Sequence, residues 1–192
     1  MKLARTFLFV GAIAGVIALG SCGGSKKAAS DDSMGKEMNI PCSDNEFNSD
    51  QTTFRGTGVG TSQDLSTAKR KASLDANNNL AASINRTLKS VTDRYTNERQ
   101  IGENSEFEEK FESMTRDVVN QELNNVSTVC NKTFSKDGKY TVYMAVEVKK
   151  DELLNNIKDR ISKDQKLQLD YDKMKFENIF NEEMNKLANE QK

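Results

Sequence analysis

Between Phe54 and Thr61 the sequence reads FRGTGVGT, and Gly56, Gly58 and Gly60 fall two residues apart. In a strand all three therefore lie on one face. Glycine weakens a strand unless another backbone must come close, and the next segment supplies one. Leu65, Ala68, Ala72, Ala76, Leu80, Ile84, Leu88, Val91 and Tyr95 recur at helical spacing, and the first half of that stripe is alanine. Small residues on both surfaces predict a helix lying closely on the glycine-bearing strand. Ser62 or Asp64 is its N-cap, and it runs to about Asn97. A phosphate loop at GTGVG does not fit, because a third glycine at the required spacing, a Walker lysine and an acid closing a following strand are all missing.

Gly102 interrupts the helical pattern. A second helix is expected from Ser105 to Asn124, with Ser105 as N-cap and Glu106, Glu108 and Glu109 suited to the positive end of the helix dipole. Phe107, Phe111, Met114, Val118 and Leu123 form its apolar face. The clustered glutamates read as a capping and solubility device, not as a catalytic pair. Val126 to Phe134 and Lys139 to Val148 then flank Asp137-Gly138, the strongest hairpin signal in the chain. Tyr140, Val142, Met144, Val146 and Val148 share one face of the second strand and are expected to meet the helices. Thr141, Tyr143, Ala145 and Glu147 share the other, and Thr141 and Tyr143 mark it as the candidate binding face of an open sheet.

After Lys150 a helical pattern continues to the C-terminus through Leu153, Leu154, Ile157, Ile161, Leu167, Tyr171, Met174, Phe180 and Leu187. Its early part completes a domain spanning residues 52–162. Residues 163–192 read as a C-terminal helical extension that packs on a partner, returns to its own domain or frays. Return is the simplest outcome, since no clean heptad survives four turns. The fold class is α+β: a small antiparallel sheet with helices on one face and a long C-terminal helix.

The N-terminus carries Lys2 and Arg5, an apolar run from Phe7 to Leu19, and then Gly20-Ser21-Cys22. A membrane-spanning helix needs roughly 20 apolar residues, and this run is shorter. Leu19-Gly20-Ser21-Cys22 resembles the cleavage site of bacterial lipoprotein signals. The resemblance implies that residues 1–21 are removed and that Cys22 becomes a lipid-bearing first residue. The alternative is an ordinary signal peptide with an incidental cysteine. Gly23, where an aspartate would retain a lipoprotein at the inner membrane, implies the outer membrane. Buried acyl carbons contribute about 0.8 kcal/mol each, and one chain alone binds marginally, so several chains anchor without a basic patch.

Residues 22–51 are rich in Ser, Gly, Lys, Asp and Asn and hold the single proline, Pro41. Such a composition buries too little surface to order itself and predicts a flexible tether. Within it, Asp32-Ser33-Met34 resembles the short acceptor site of bacterial general O-glycosylation, which makes Ser33 a candidate, although a tripeptide also arises by chance. The alternation Asp44, Glu46, Asn48, Asp50 does not make a calcium loop, because Ser49 replaces the turn glycine and Arg55 the terminal glutamate.

Once Cys22 is assigned to lipid, Cys42 and Cys130 remain as an even pair. A bridge between them would close a loop of about 88 residues, worth about 4 to 5 kcal/mol in the chain-entropy picture. Two separate thiols are the alternative. Removal of the leader takes away two basic residues and no acid, leaving 26 basic against 29 acidic residues and a net charge of −3. Nucleic acid, which needs a basic stripe, is not an expected partner. The chain has no histidine, which excludes His-based triads and the usual zinc sites. No tryptophan or aromatic cluster accompanies the carboxylates as a glycosidase would require. No catalytic residue, metal or cofactor is assigned.

The order strand, alanine-striped helix, helix, hairpin, helix is similar to the twenty-kilodalton membrane-associated lipoprotein family over about Phe54 to Lys150. The similarity rests on Gly58 and Gly60, on the series Ala68, Ala72, Ala76, Leu80 and Ala81, and on Asp137-Gly138-Lys139-Tyr140 leading into a valine-rich strand. It departs in lacking a hairpin tryptophan and in its long C-terminal helix. The resemblance implies a non-catalytic outer-membrane lipoprotein with a small α+β fold. Expected partners are the membrane, through the lipid, and an envelope protein. A structural subunit that self-associates through the C-terminal helix is the alternative.

Overall fold

The computed structural model describes residues 38–43, 45–99, 105–124 and 126–191. The leader, Cys22 and Ser33 lie outside the described residues, as does the side chain of Phe107. A short 3-10 turn at Asn45–Phe47 precedes β1 (Thr53–Ser62), α1 (Leu65–Arg99), α2 (Ser105–Glu122), β2 (Ser127–Lys136) and β3 (Lys139–Lys149). Three helices follow: α3 (Lys150–Lys163), α4 (Gln165–Asp170) and α5 (Lys173–Glu190). The sheet is antiparallel in the order β1-β3-β2, so the glycine strand and the hairpin meet on the central β3. The architecture is α+β, as expected.

Strand β1 opposes Phe54 to Val148, Gly56 to Val146, Gly58 to Met144 and Gly60 to Val142, and these residues form the inner face. Helix α1 runs back over them, with Ala68, Ala72, Ala76, Leu80 and Ile84 fully buried. The three glycines are required by proximity alone, since none has a positive φ. A Cβ at Gly56 would stand 2.5 Å from Leu80 N, one at Gly58 2.6 Å from Ala72 O, and one at Gly60 2.5 Å from Ala72 N. Asp64 is the N-cap of α1, accepting from Thr67 N at 2.7 Å, while Ser62 Oγ accepts from Asp64 N at 3.2 Å.

At about 1.5 Å per residue the 35 residues of α1 extend roughly 52 Å, and the ten residues of β1 about 33 Å. The helix therefore outruns the sheet. Its second half, with Leu88, Val91 and Tyr95 buried, builds a helical bundle with α2 and α5. Phe176 sits at the bundle centre, with ring centroids 5.5 Å from Phe111 and 5.7 Å from both Tyr95 and Tyr171. Phe180 joins Phe176 to Phe54 of β1, 6.3 Å from each. Sheet and bundle thus share one continuous core.

The continuous helical pattern expected at 163–192 is corrected in one respect. The helix is broken, because Asp164 accepts from Leu167 N at 3.2 Å and Asp172 accepts from Lys175 N at 3.1 Å, each aspartate capping a new helix. The last helix returns to its own domain, the simplest of the outcomes expected, and buries Phe176, Ile179, Phe180, Met184 and Leu187. Glu183, with 8% of its side chain exposed, clasps α5 to α1 by accepting from Arg94 Nη1 and Ser90 Oγ, both at 2.7 Å. Lys186 Nζ donates to the same carboxylate at 2.7 Å. Burial alone would raise the Glu183 carboxyl, but hydrogen bonds from Lys186, Arg94 and Ser90 outweigh it and hold the pKa at about 2.

The hairpin turn at Asp137-Gly138 has φ of 51° and 70°, the left-handed pair that the Asp-Gly signal predicts. Less expected is a bulge between Thr128 and Cys130, which sets Val129 outside the ladder. Helix α1 covers β1 and β3 but not β2, which is exposed almost throughout.

Candidate binding face

The outer face of the sheet is divided in two. Cys42 and Cys130 form a disulfide with a Cα–Cα distance of 5.6 Å, which fastens residues 38–43 beneath β2 and β3. Cys42 is 3% exposed, at a turn after Pro41, with φ of 58°. Beyond it the chain is held by Arg55, whose Nη1 donates to Asp50 Oδ2 at 2.7 Å and to Asn48 O at 2.8 Å, while its Nε donates to Glu147 Oε2 at 3.0 Å. Burial would lower the Arg55 pKa, but its bonds to Asp50 and Glu147 raise it instead. The Asp50 carboxyl is lowered: burial opposes ionisation, and donors from Thr52 and Arg55 prevail. Ser49 N donates to Gln191 Oε1 at 2.6 Å, and Asn48 Nδ2 donates to Gln191 O, so this strap also ties the start of the domain to the end of α5.

The tether expected over 22–51 is therefore shorter than its composition suggests, because residues from Met38 onward are anchored by one covalent bond and one half-buried guanidinium. Neither anchor shows in local hydrophobicity. A polar cleft of about 840 Å³ opens between the strap and the end of α5, lined in part by Asp50, Arg55 and Gln191. Asp50 and Arg55 already pair with each other, which leaves Glu46 as the one charge on its lining without an ion pair among the described residues. Among the described residues no group of three His, Cys, Asp or Glu is placed to hold a metal ion.

The rest of the outer face is open. Thr141 and Tyr143 lie on it together, half-buried, with Thr61 Oγ1 3.3 Å from Thr141 Oγ1. Tyr143 stands between Val59 of β1 and Lys132 of β2, and Thr141 between Thr61 and Phe134. The Tyr143 ring meets Phe134 edge-on at 5.8 Å. Phe134 is 50% exposed and Val59 47%, so an aromatic and aliphatic patch faces solvent on a sheet whose other side is core. Sequence reasoning found Thr141 and Tyr143 but missed Phe134 and Val59. Phe134 entered only as the end of the first hairpin strand, with no face given to it, and β2 has no helix above it. Its position opposite Thr141 across the Asp-Gly turn was countable from the hairpin.

The two sheet edges are treated differently. On β1, Val59 N donates to Asp75 Oδ2 at 3.0 Å, Asn79 Nδ2 donates to Thr57 O at 2.8 Å, and Lys71 Nζ donates to Thr61 O at 3.3 Å. Arg55 N donates to Ser49 Oγ at 2.9 Å. Helix α1 and the strap thus occupy the β1 edge. Comparisons with protein-family models, curated proteins and solved structures find no match to this chain, so the arrangement of the face is what informs its role.

Proposed function

We propose that the chain is a non-catalytic outer-membrane lipoprotein, acylated at Cys22, that presents the open sheet face around Thr141 and Tyr143 to an envelope protein. The observation that carries this reading is the cysteine arrangement. Of three cysteines, one closes the hydrophobic leader and the other two meet in the fold as a disulfide, the pattern of a chain that matures in an oxidising compartment. The resemblance to the twenty-kilodalton membrane-associated lipoproteins supports the same reading. So does a domain that keeps Asp50, Arg55 and Glu147 in structural pairs and leaves an aromatic patch exposed.

The alternative, a structural subunit that self-associates through its C-terminal helix, loses its main support because α5 spends its apolar face on α1, α2 and β1. Metabolic labelling with a palmitate analogue tests the anchor: label is expected on the native protein and absent from Cys22→Ser, which should leave the membrane fraction. A photo-crosslinker at Tyr143 in intact cells tests the face. Capture of an envelope protein is expected there and not from an equivalent probe at Leu74 on α1; equal capture from both positions refutes a specific face.

A further inference from the structure

We infer that the outer edge of β2 receives an extended acidic strand from a partner protein, adding a fourth strand to the sheet beside the open face. The inference deepens the binding role proposed above and rests on it, but does not depend on lipidation.

The hydrogen-bonding directions follow from the register. Arg55, Thr57, Val59 and Thr61 turn their backbone groups away from β3, so Phe54, Gly56, Gly58 and Gly60 bond the even-numbered residues of β3. The odd-numbered residues of β3 then bond β2 through Cys130, Lys132, Phe134 and Lys136. Asn131, Thr133 and Ser135 are left with N–H and C=O groups directed outward. Among the described residues, 127–136 make no backbone hydrogen bond outside the β3 ladder. The bulge lies at the far end, so Asn131 to Lys136 form an unbroken run in register. Unlike the β1 edge, this one has no side chain bonded across it among the described residues.

Charge selects the occupant. Lys132 and Lys136 flank Phe134 on the outer face, Lys139 lies across the turn, and Asp137 is the single carboxylate between residues 127 and 141. None of the three lysines is in an ion pair among the described residues. A second copy pairing β2 to β2 would bring the lysines of both onto one strip with only Asp137 at each turn to answer them, which is destabilising between facing strands. The same lysines that discourage self-pairing match a strand of the pattern acid-x-apolar-x-acid, its carboxylates beside Lys132 and Lys136 and its apolar residue beside Phe134. Main-chain bonds to the edge would supply affinity and these alternate side chains the specificity.

The test is selection of displayed random ten-residue peptides on the chain from Gly23 onward, which carries the whole described core. Enrichment of acid-x-apolar-x-acid sequences is expected, and a synthetic peptide of the leading sequence should slow amide exchange at Asn131, Thr133 and Ser135. Thr133→Pro removes an outward N–H and leaves the β3 ladder, and it should weaken that peptide at least tenfold. Should Thr133→Pro not fold, Lys132→Glu with Lys136→Glu decides, with at least tenfold weaker binding and a preference reversed to basic peptides. Non-acidic winners, an edge-mediated dimer, or peptides indifferent to the lysine reversal overturn the inference. Indifferent peptides that are lost on Tyr143→Ala would overturn the edge alone and leave the binding face standing, whereas no enrichment at all removes both.

Discussion

Gly58→Ala adds one methyl group at the point where α1 lies on β1, and the structure indicates what that methyl meets. Its carbon would stand 2.6 Å from Ala72 O and 2.9 Å from Ala76 Cα, both backbone atoms of a helix that cannot turn aside. Ordinary carbon contacts lie at about 3.5 to 4.0 Å, and Ala76 N lies nearer still than either atom, so strand and helix must separate by about 1 Å. A gap of that size forfeits a quarter to a half of each dispersion contact it opens. The loss spreads along Ala68, Ala72, Ala76 and Leu80, all fully buried on the same seam. Overpacking of this kind costs about 1 to 3 kcal/mol, and the rigid neighbours place this site at the upper end. Against it stands a gain of about 0.4 to 1 kcal/mol from a less flexible unfolded chain, available because the φ at Gly58 is not positive. The clash wins, and a net loss of about 2 kcal/mol is expected, a fall in Tm of roughly 4 to 8 °C for a domain of this size. Urea unfolding followed by circular dichroism measures it, with Val59→Ala, one residue along on the outer face, as the control expected to lose under about 1 kcal/mol. A Gly58→Ala protein within about 0.5 kcal/mol of wild type would refute the close seating of α1 on β1.

Three further outcomes are expected. Glu183 titrates at about 2 in the fold against an ordinary 4.5, so its contribution is complete above pH 4.5 and is lost as pH falls toward 2. Acid unfolding of Glu183→Gln should therefore show a shallower loss over that window, with a deficit on the order of 2 to 3 kcal/mol at neutral pH that closes in acid. Phe176→Ala should cost about 3 to 5 kcal/mol, because it empties the centre of a ring cluster joining α1, α2 and α5; a loss under 1 kcal/mol would contradict that packing. Reduction of the Cys42–Cys130 bridge should add two mass units, lower stability by about 2 to 4 kcal/mol and speed amide exchange at residues 38–50. Unchanged exchange there would mean that Arg55 holds the strap unaided.

The features legible in the sequence were those written locally and periodically. The alanine stripe could be read because a helix buries one residue in three or four, and every position from Ala68 to Tyr95 in that stripe is buried as its spacing required. The Asp137-Gly138 hairpin was legible because few residue pairs accept two positive φ angles. What escaped was long-range and polar. Lys71, Asp75 and Asn79 fall one residue before Ala72, Ala76 and Leu80, a second stripe that shields the β1 edge, yet as a sequence it reads as a solvated helix face. Asp164 and Asp172 were visible as residues but hidden as caps inside an otherwise continuous helical pattern. The partnership of Asn48 and Ser49 with Gln191 crosses most of the chain and leaves no local trace.

The position of the cystine also decides how the molecule answers to force. Any pull arriving along the chain from the N-terminal side reaches Cys42 first and passes through the sulfur bridge into Cys130, near the bulged end of β2. Strand β1, which would otherwise be peeled from the sheet one hydrogen bond at a time, is bypassed. The load enters the hairpin at its open end instead, and residues 42–130, which include β1, α1 and α2, stay closed in a covalent loop that the pull cannot extend.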